Sequence, residues 1–352
     1  NGLPEWAAAA RPDGRWRPPR RHEWIDEIEW SMRGYLKTLW DEEDQSWWTY
    51  VGGNPFNRRL GPHPPFLYDC LGGAALTDNP VLRKRLEERA ALVRRRHSDV
   101  TPAADDLGFH FGDPLTALTT RALSVYETLE TRGADGGWRF EPYIGGEGIF
   151  RGMDYALLGT RGQEGVGLVA RRACELLRVA RISGDSGFLS PALRALEYME
   201  RFRVPRAAQV WEVPVHTPDL LASADACEAF LEAYEITGRE RYLDRARYWL
   251  ETGLPFLYVW DVPEFPFLRY ASIPVFGATW LGYSWFGRPV QWNGLRWARA
   301  ALRMARHDAT YPWEMLAAGI TISALHQQGT DPGAEDYALW PDAISALDGE
   351  KA

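Results

Sequence analysis

From His22 to about Trp40 the apolar residues Trp24, Ile25, Ile28, Met32, Tyr35, Leu36 and Leu39 recur at spacings of three and four, which puts them on one face of an α-helix. The same spacing returns at about 65–76, 79–97, 113–131, 163–183, 187–203, 217–237, 239–253, 288–307, 312–328 and 336–347, so eleven helices are predicted. Strand-like patterns are short and confined to Gly137–Phe140, Gln209–Val215 and Phe267–Ile273. Residues 1–21, rich in Pro and Arg, carry no period and read as an extended lead-in to one domain spanning 22–347. An all-α chain is expected.

Two of the helix pairs repeat each other. Leu177, Ile182, Gly184, Phe188, Leu189, Ala192 and Leu196 match Leu231, Ile236, Gly238, Tyr242, Leu243, Ala246 and Leu250 at a constant offset of 54. In each copy a Gly stands just past the first helix, where a left-handed cap costs least, and a Phe/Tyr-Leu pair opens the apolar face of the second. Hairpin repeats of this length build a solenoid or a closed toroid. The turn Ile236-Thr237-Gly238-Arg239-Glu240-Arg241-Tyr242-Leu243 resembles the six-hairpin glycosidase superfamily. So do Ile273-Pro274-Val275-Phe276-Gly277-Ala278-Thr279-Trp280, Gly287-Arg288-Pro289-Val290-Gln291-Trp292 and Leu339-Trp340-Pro341-Asp342. The resemblance implies an (α/α)6 toroid of helical hairpins over residues 22–347, with long Trp-rich loops at one end, and hydrolysis of a glycosidic bond with inversion.

Composition narrows the function. A net charge of −8 lacks the clustered basic residues that nucleic acid requires, and no apolar run reaches the roughly 18–20 residues of a membrane helix. Cys70, Cys174 and Cys227 are odd in number and lie in apolar helical contexts, so buried thiols are expected rather than disulfides or a zinc site. No metal-ligand spacing, dinucleotide fingerprint or Gly-x-Ser-x-Gly elbow is present, and no cofactor is expected. The opening Asn-Gly-Leu-Pro-Glu-Trp does not read as a signal peptide, which leaves the compartment open, with a secreted or periplasmic one somewhat preferred. The 17 tryptophans exceed the needs of a core, and indole faces stack on the C–H faces of sugar rings. An oligo- or polysaccharide is therefore the expected partner. At least four of Trp47, Trp48, Trp138, Trp211, Trp280, Trp285 and Trp292 are expected to line one cleft.

Acid–base chemistry on such a partner needs two carboxyls, one to protonate the leaving oxygen and one to activate water or attack carbon. The leading segment is Trp211-Glu212-Val213-Pro214-Val215-His216-Thr217-Pro218-Asp219, which gathers Glu212, His216 and Asp219 at a helix N-terminus, with Thr217 or Asp219 as cap and Pro218 in the first turn. The second is Tyr143–Tyr155, where glycines surround Glu147 and Asp154 closes the segment. Glu212 is assigned as acid and Glu147 as base, with Asp154 in reserve and His216 as a positioning donor. Trp211, Trp48, Trp280, Trp292, Arg269 and Tyr270 are assigned to the substrate.

The alternative on the same toroid is a polysaccharide lyase acting on a uronate by β-elimination through His216, Tyr270, Arg269 and Asn54. A third reading is a non-catalytic glycan-binding toroid. His63, Asp69, His110 and Asp113 lie near helix ends, where capping is their ordinary role.

Overall fold

The computed structural model describes residues 21–51, 59–97, 110–146, 151–259, 262–277, 279, 285 and 288–351. Ten α-helices occur among them. They are α1 (Arg21–Arg33, prolonged by one π-turn over Gly34–Thr38), α2 (Pro64–Leu76), α3 (Pro80–Arg96), α4 (Pro114–Glu130), α5 (Val166–Ser183), α6 (Ser186–Met199), α7 (Leu220–Thr237), α8 (Glu240–Glu251), α9 (Gln291–Met304) and α10 (Trp313–Gln327). Two compact units share the chain, one within residues 19–121 and 325–341, the other within 122–324 and 342–352.

In the first unit α2 and α3 form a hairpin, and α1 packs on α2. Gly73 permits the close approach of α1, since a Cβ there would stand 2.6 Å from Met32 Sδ. Prolines open both hairpin helices, and Asn79 caps α3 by accepting from the amides of Val81 at 3.0 Å and Leu82 at 3.1 Å. The core joins Met32, Leu36, Trp40, Trp47, Leu67, Cys70, Leu86 and Val93. Three short antiparallel strands, β1 (Trp40–Asp41), β2 (Ser46–Trp48) and β3 (Leu60–Gly61), are registered by Trp40 opposite Trp47 and Trp48 opposite Leu60.

The second unit is built on the repeated hairpins α5/α6 and α7/α8, with α7 packed against α5, α8 and α9. Gly184 at φ +70° and Gly238 at φ +64° turn the two hairpins, their amides donating to the carbonyls of Ala180 and Tyr234. Helix α7 is buried at every position from Leu220 to Ala233, so its acids must be answered from neighbouring helices. Arg178 on α5 reaches Glu228 at 2.9 Å and Glu232 at 3.2 Å. From α9, Arg303 reaches Glu232 at 3.0 Å and Arg296 reaches Asp225 at 3.1 Å. Arg178 and Glu232 occupy the same repeat position, 54 residues apart, so the two copies differ by a charge reversal that makes them a pair.

The structure corrects three expectations. Residues 336–347 form turns, not a helix, with Ala338 at φ +60° and Pro341 lacking an amide hydrogen. The three strand-like stretches are not strands. Gly137–Phe140 exchanges backbone bonds with Gly162 and Gln163, Gln209–Val215 is a turn closed on the carbonyl of Gln209, and Phe267–Ile273 is bent at Tyr270, where φ is +61°. Of the seven tryptophans expected to supply a cleft, Trp47, Trp138 and Trp285 are each at most 3% exposed, and Trp280 lies outside the described residues. Pro218 precedes the cap of α7 rather than opening its first turn. The buried, unbridged state expected of Cys70, Cys174 and Cys227 is observed.

Replacing Arg178 by Met leaves the buried Glu228 with only the more distant Arg299 among the described residues, at 3.7 Å, and removes one of several cations from Glu232, and we expect a loss of about 3 kcal/mol in denaturant unfolding. Gly184→Ala and Gly238→Ala meet no neighbouring atoms within 4 Å but force a left-handed backbone on a Cβ-bearing residue, so each is expected to cost about 1 kcal/mol. An Arg178→Met variant as stable as the wild type would mean that the buried ion pairs do not hold α7 in place.

Candidate active site

Asp219 organises the loop that carries Glu212. One of its carboxyl oxygens accepts from the Ala222 amide at 2.8 Å and caps α7, while the other accepts from the Ala208 amide at 3.0 Å. Its own amide donates to the carbonyl of Pro205 at 2.8 Å, closing the loop on itself. Burial raises the Asp219 carboxyl to about 7, against the opposing pull of those two amides. Within the loop the amides of Glu212 and Val213 both donate to the carbonyl of Gln209, a tight turn that points successive side chains apart.

Val213 packs into an apolar cluster with Val275, Trp285, Val290 and Ala343, with Trp292 against its edge. Because Glu212 precedes Val213 and Asp342 precedes Ala343, this packing sets two carboxyls in each other's field. Glu212 is 7% exposed, and among the described residues its carboxyl has neither a cation nor a hydrogen-bond donor. Burial, and then the charge of Asp342, raise it to about 8. A carboxylic acid that keeps its proton at neutral pH beside a second carboxyl is the arrangement from which acid and base roles separate.

The amide of Val215 donates to the carbonyl of Leu158 at 2.8 Å, which ties this loop to the segment before α5. There Asp154 accepts from the Ala156 amide at 2.9 Å and caps the short 3-10 turn Tyr155–Leu158. Tyr155 is buried, and its ring stacks on that of Tyr143 with centroids 4.1 Å apart and planes 10° from parallel. Burial, Tyr143 and the charge of Glu212 together push the Tyr155 phenol up to about 12.

Among the residues expected from sequence, the loop unites Glu212, Trp211 and His216. His216 is exposed, and Trp211 is half-buried. Trp292 is also half-buried and joins them through the Val213 cluster. Asp154 is exposed and acts as a cap. Arg269 stands over the ring of its neighbour Tyr270, with 5.5 Å to the centroid. Trp48 belongs to the first unit, where its indole donates to Asp41 at 3.1 Å. Glu147, Trp280 and Asn54 lie outside the described residues. Of the weaker candidates, Asp113 caps α4 through Thr116, Asp69 accepts from Tyr35 at 2.9 Å, and His63 meets the carbonyl of Arg59 at 3.1 Å.

Sequence reasoning missed Asp342 and the Tyr143/Tyr155 pair as site residues. Asp342 carried a signal, since Leu339-Trp340-Pro341-Asp342 was one of the segments that bore the family resemblance.

A groove of about 640 Å3 in the first unit is lined in part by Glu29, Arg33, Lys37, Trp40, Glu42 and Tyr337. Arg33 rests over Trp30 and Lys37 over Tyr337, and Glu42 is bound by Arg89. It offers no coupled pair of acids. Among the described residues no cluster of His, Cys, Asp and Glu suits a metal ion, and no helix is long and apolar enough to cross a membrane.

No protein-family model and no curated protein matches the chain. Solved structures do. An unsaturated glucuronyl hydrolase from Streptococcus agalactiae is 10% identical, with a TM-score of 0.56 over 95% of this chain and 87% of that one. An unsaturated glucuronyl hydrolase from Bacillus sp. GL1, described as responsible for the degradation of glycosaminoglycan, is 11% identical, with a TM-score of 0.53 over 92% of this chain and 88% of that one. Another, described as specific for heparin, is 12% identical, with a TM-score of 0.52 over 92% and 90%. These likenesses show the fold: the chain has the helical-toroid architecture of the unsaturated glucuronyl hydrolases, as its resemblance to six-hairpin glycosidases implied.

Proposed function

We propose that the protein is a glycoside hydrolase in which Glu212 is the general acid and Asp342 the general base. The observation that carries this reading is the Glu212 carboxyl, buried with no cation or donor among the described residues and raised to about 8 beside a second acid. Protonated at neutral pH, Glu212 delivers its proton to the glycosidic oxygen as the C–O bond breaks. Asp342, as a carboxylate, takes a proton from the water that adds to the sugar. Asp342 stands here in the place that the sequence assigned to Glu147. Trp211 and Trp292, half-buried beside Glu212 and Val213, are the tryptophans that this reading places near the sugar.

The substrates we propose are oligosaccharides that carry an unsaturated glucuronyl residue, the class named for the fold neighbours, one of which was solved with dGlcA-GalNAc6S. Inversion follows from the six-hairpin resemblance, and the anomer formed first, read by NMR, tests that part separately. Elimination draws no support from the site, since His216 is exposed and makes no hydrogen bond among the described residues.

The test is product release from dGlcA-GalNAc6S and from heparin-derived unsaturated disaccharides. Glu212→Gln and Asp342→Asn are each expected to lower turnover by about 10²–10⁴-fold. Full activity in Glu212→Gln would remove the acid from this position. The alkaline limb of kcat/KM is expected near pH 8, where Glu212 loses its proton.

Stability supplies an independent reading. A carboxyl raised from an ordinary 4.5 to about 8 is protonated in both the folded and unfolded chains below 4.5, and its favourable contribution is lost as pH rises through 8. Glu212→Gln is therefore expected to raise the melting temperature at pH 9, with the gap closing towards pH 5. An equal gap at both values would show that Glu212 does not titrate as described.

A further inference from the structure

We infer that Tyr143, backed by Tyr155, is the platform on which the sugar ring stacks at the Glu212–Asp342 site, and that it is a specificity-determining residue there. The inference rests on the hydrolase reading for the identity of the ligand. Three of the tryptophans expected to line a cleft, Trp47, Trp138 and Trp285, are enclosed. Tyr143 is 45% exposed although it lies flat against a ring that is 1% exposed. One face of Tyr143 is therefore held by Tyr155, and the other is open.

The pair is a built surface rather than a loose side chain. The amide of Tyr155 donates to the carbonyl of Tyr143 at 2.9 Å, that of Gly145 to Met153 at 2.9 Å, and that of Gly152 to Gly145 at 2.8 Å. The Tyr155 hydroxyl donates to that of Tyr143, opposing the rise that burial imposes on the Tyr143 phenol. The hydroxyl ends of the rings thus meet, and the charge of Glu212 is felt at Tyr155.

A backbone bond links the pair to the site. The bond from Val215 to Leu158 joins the turn that holds Tyr155 to the loop that holds Glu212. A flat apolar face with a hydroxyl at its edge, next to a protonated carboxyl, matches the C–H face and ring hydroxyls of a sugar. On this account Asp154, the cap of the Tyr155 turn, is a positioning residue for the platform.

The experiment measures, by calorimetry, the binding of dGlcA-GalNAc6S to the Glu212→Gln protein, alone and combined with either Tyr143→Ala or Tyr143→Trp. Tyr143→Ala is expected to weaken binding about 5–30-fold, and Tyr143→Trp to restore it to within about threefold, with unchanged circular dichroism in both. Equal affinity with Tyr143→Ala, or binding with Tyr143→Trp as weak as with Tyr143→Ala, would overturn the inference. Turnover is followed separately in the wild-type background. Hydrolysis with an unchanged KM in Tyr143→Ala would remove the platform and leave the hydrolase reading intact. Binding that depends on Tyr143 without any hydrolysis would keep the platform and remove the hydrolase, and no binding to any form would remove both.

Discussion

Helix α7 is enclosed on every side from Leu220 to Ala233, and that enclosure obliges each charge it carries to be answered inside the protein. Arg178, Arg296 and Arg303 answer Asp225, Glu228 and Glu232, so that α5 and α9 are held to α7 by geometry as well as by apolar packing. Breaking one partner of such a pair leaves a buried charge, which is why the network fixes the helices more firmly than its net energy alone would suggest. The N-terminus of the same helix is closed by Asp219, whose second oxygen holds the loop that bears Glu212. Site and scaffold thus share one element.

Against that background Glu212 is the exception. The acids of α7 have arginines within 3.2 Å, whereas Glu212, nearly as enclosed, faces another carboxyl. A packing role does not require this, because Gln would fill the same space without the cost of an ionisable group. Desolvation and a like charge both favour the protonated form, and a protonated carboxyl is what an acid catalyst needs at neutral pH. The stacked tyrosines add a flat aromatic surface, Tyr155 buried and Tyr143 partly exposed.

The sequence made the helices and the repeat legible because both write themselves in local spacing. Gly184 and Gly238 stood where a left-handed cap is needed, and both are found there. Glu212 was legible as well, as an acid set between Trp211 and Pro214 in a stretch without period. Asp342 was legible only as the end of a segment that carried the resemblance, because its relation to Glu212 is made by Val213 and Ala343 sharing one apolar cluster, which has no local signature. The helix expected at 336–347 failed because apolar spacing continues through turns whose backbone Ala338 and Pro341 divert. Tryptophans in irregular segments look alike in sequence, whether they face a cleft or, like Trp138 with its indole on the Thr128 carbonyl, finish a core. Tyr143 and Tyr155 bounded a segment singled out for its acids, but their stacking was not legible because it depends on the turn that Asp154 caps.

The central claim is that Glu212 holds a proton at neutral pH because it is buried beside Asp342. Infrared difference spectroscopy of the wild type against Glu212→Gln, recorded across a pH titration, reads that proton directly. A carboxylic C=O band present at pH 7, lost with a midpoint near 8, and shifted to lower pH in Asp342→Asn is the expected result. A Glu212 carboxylate already ionised at pH 6, or a midpoint indifferent to Asp342, would contradict it.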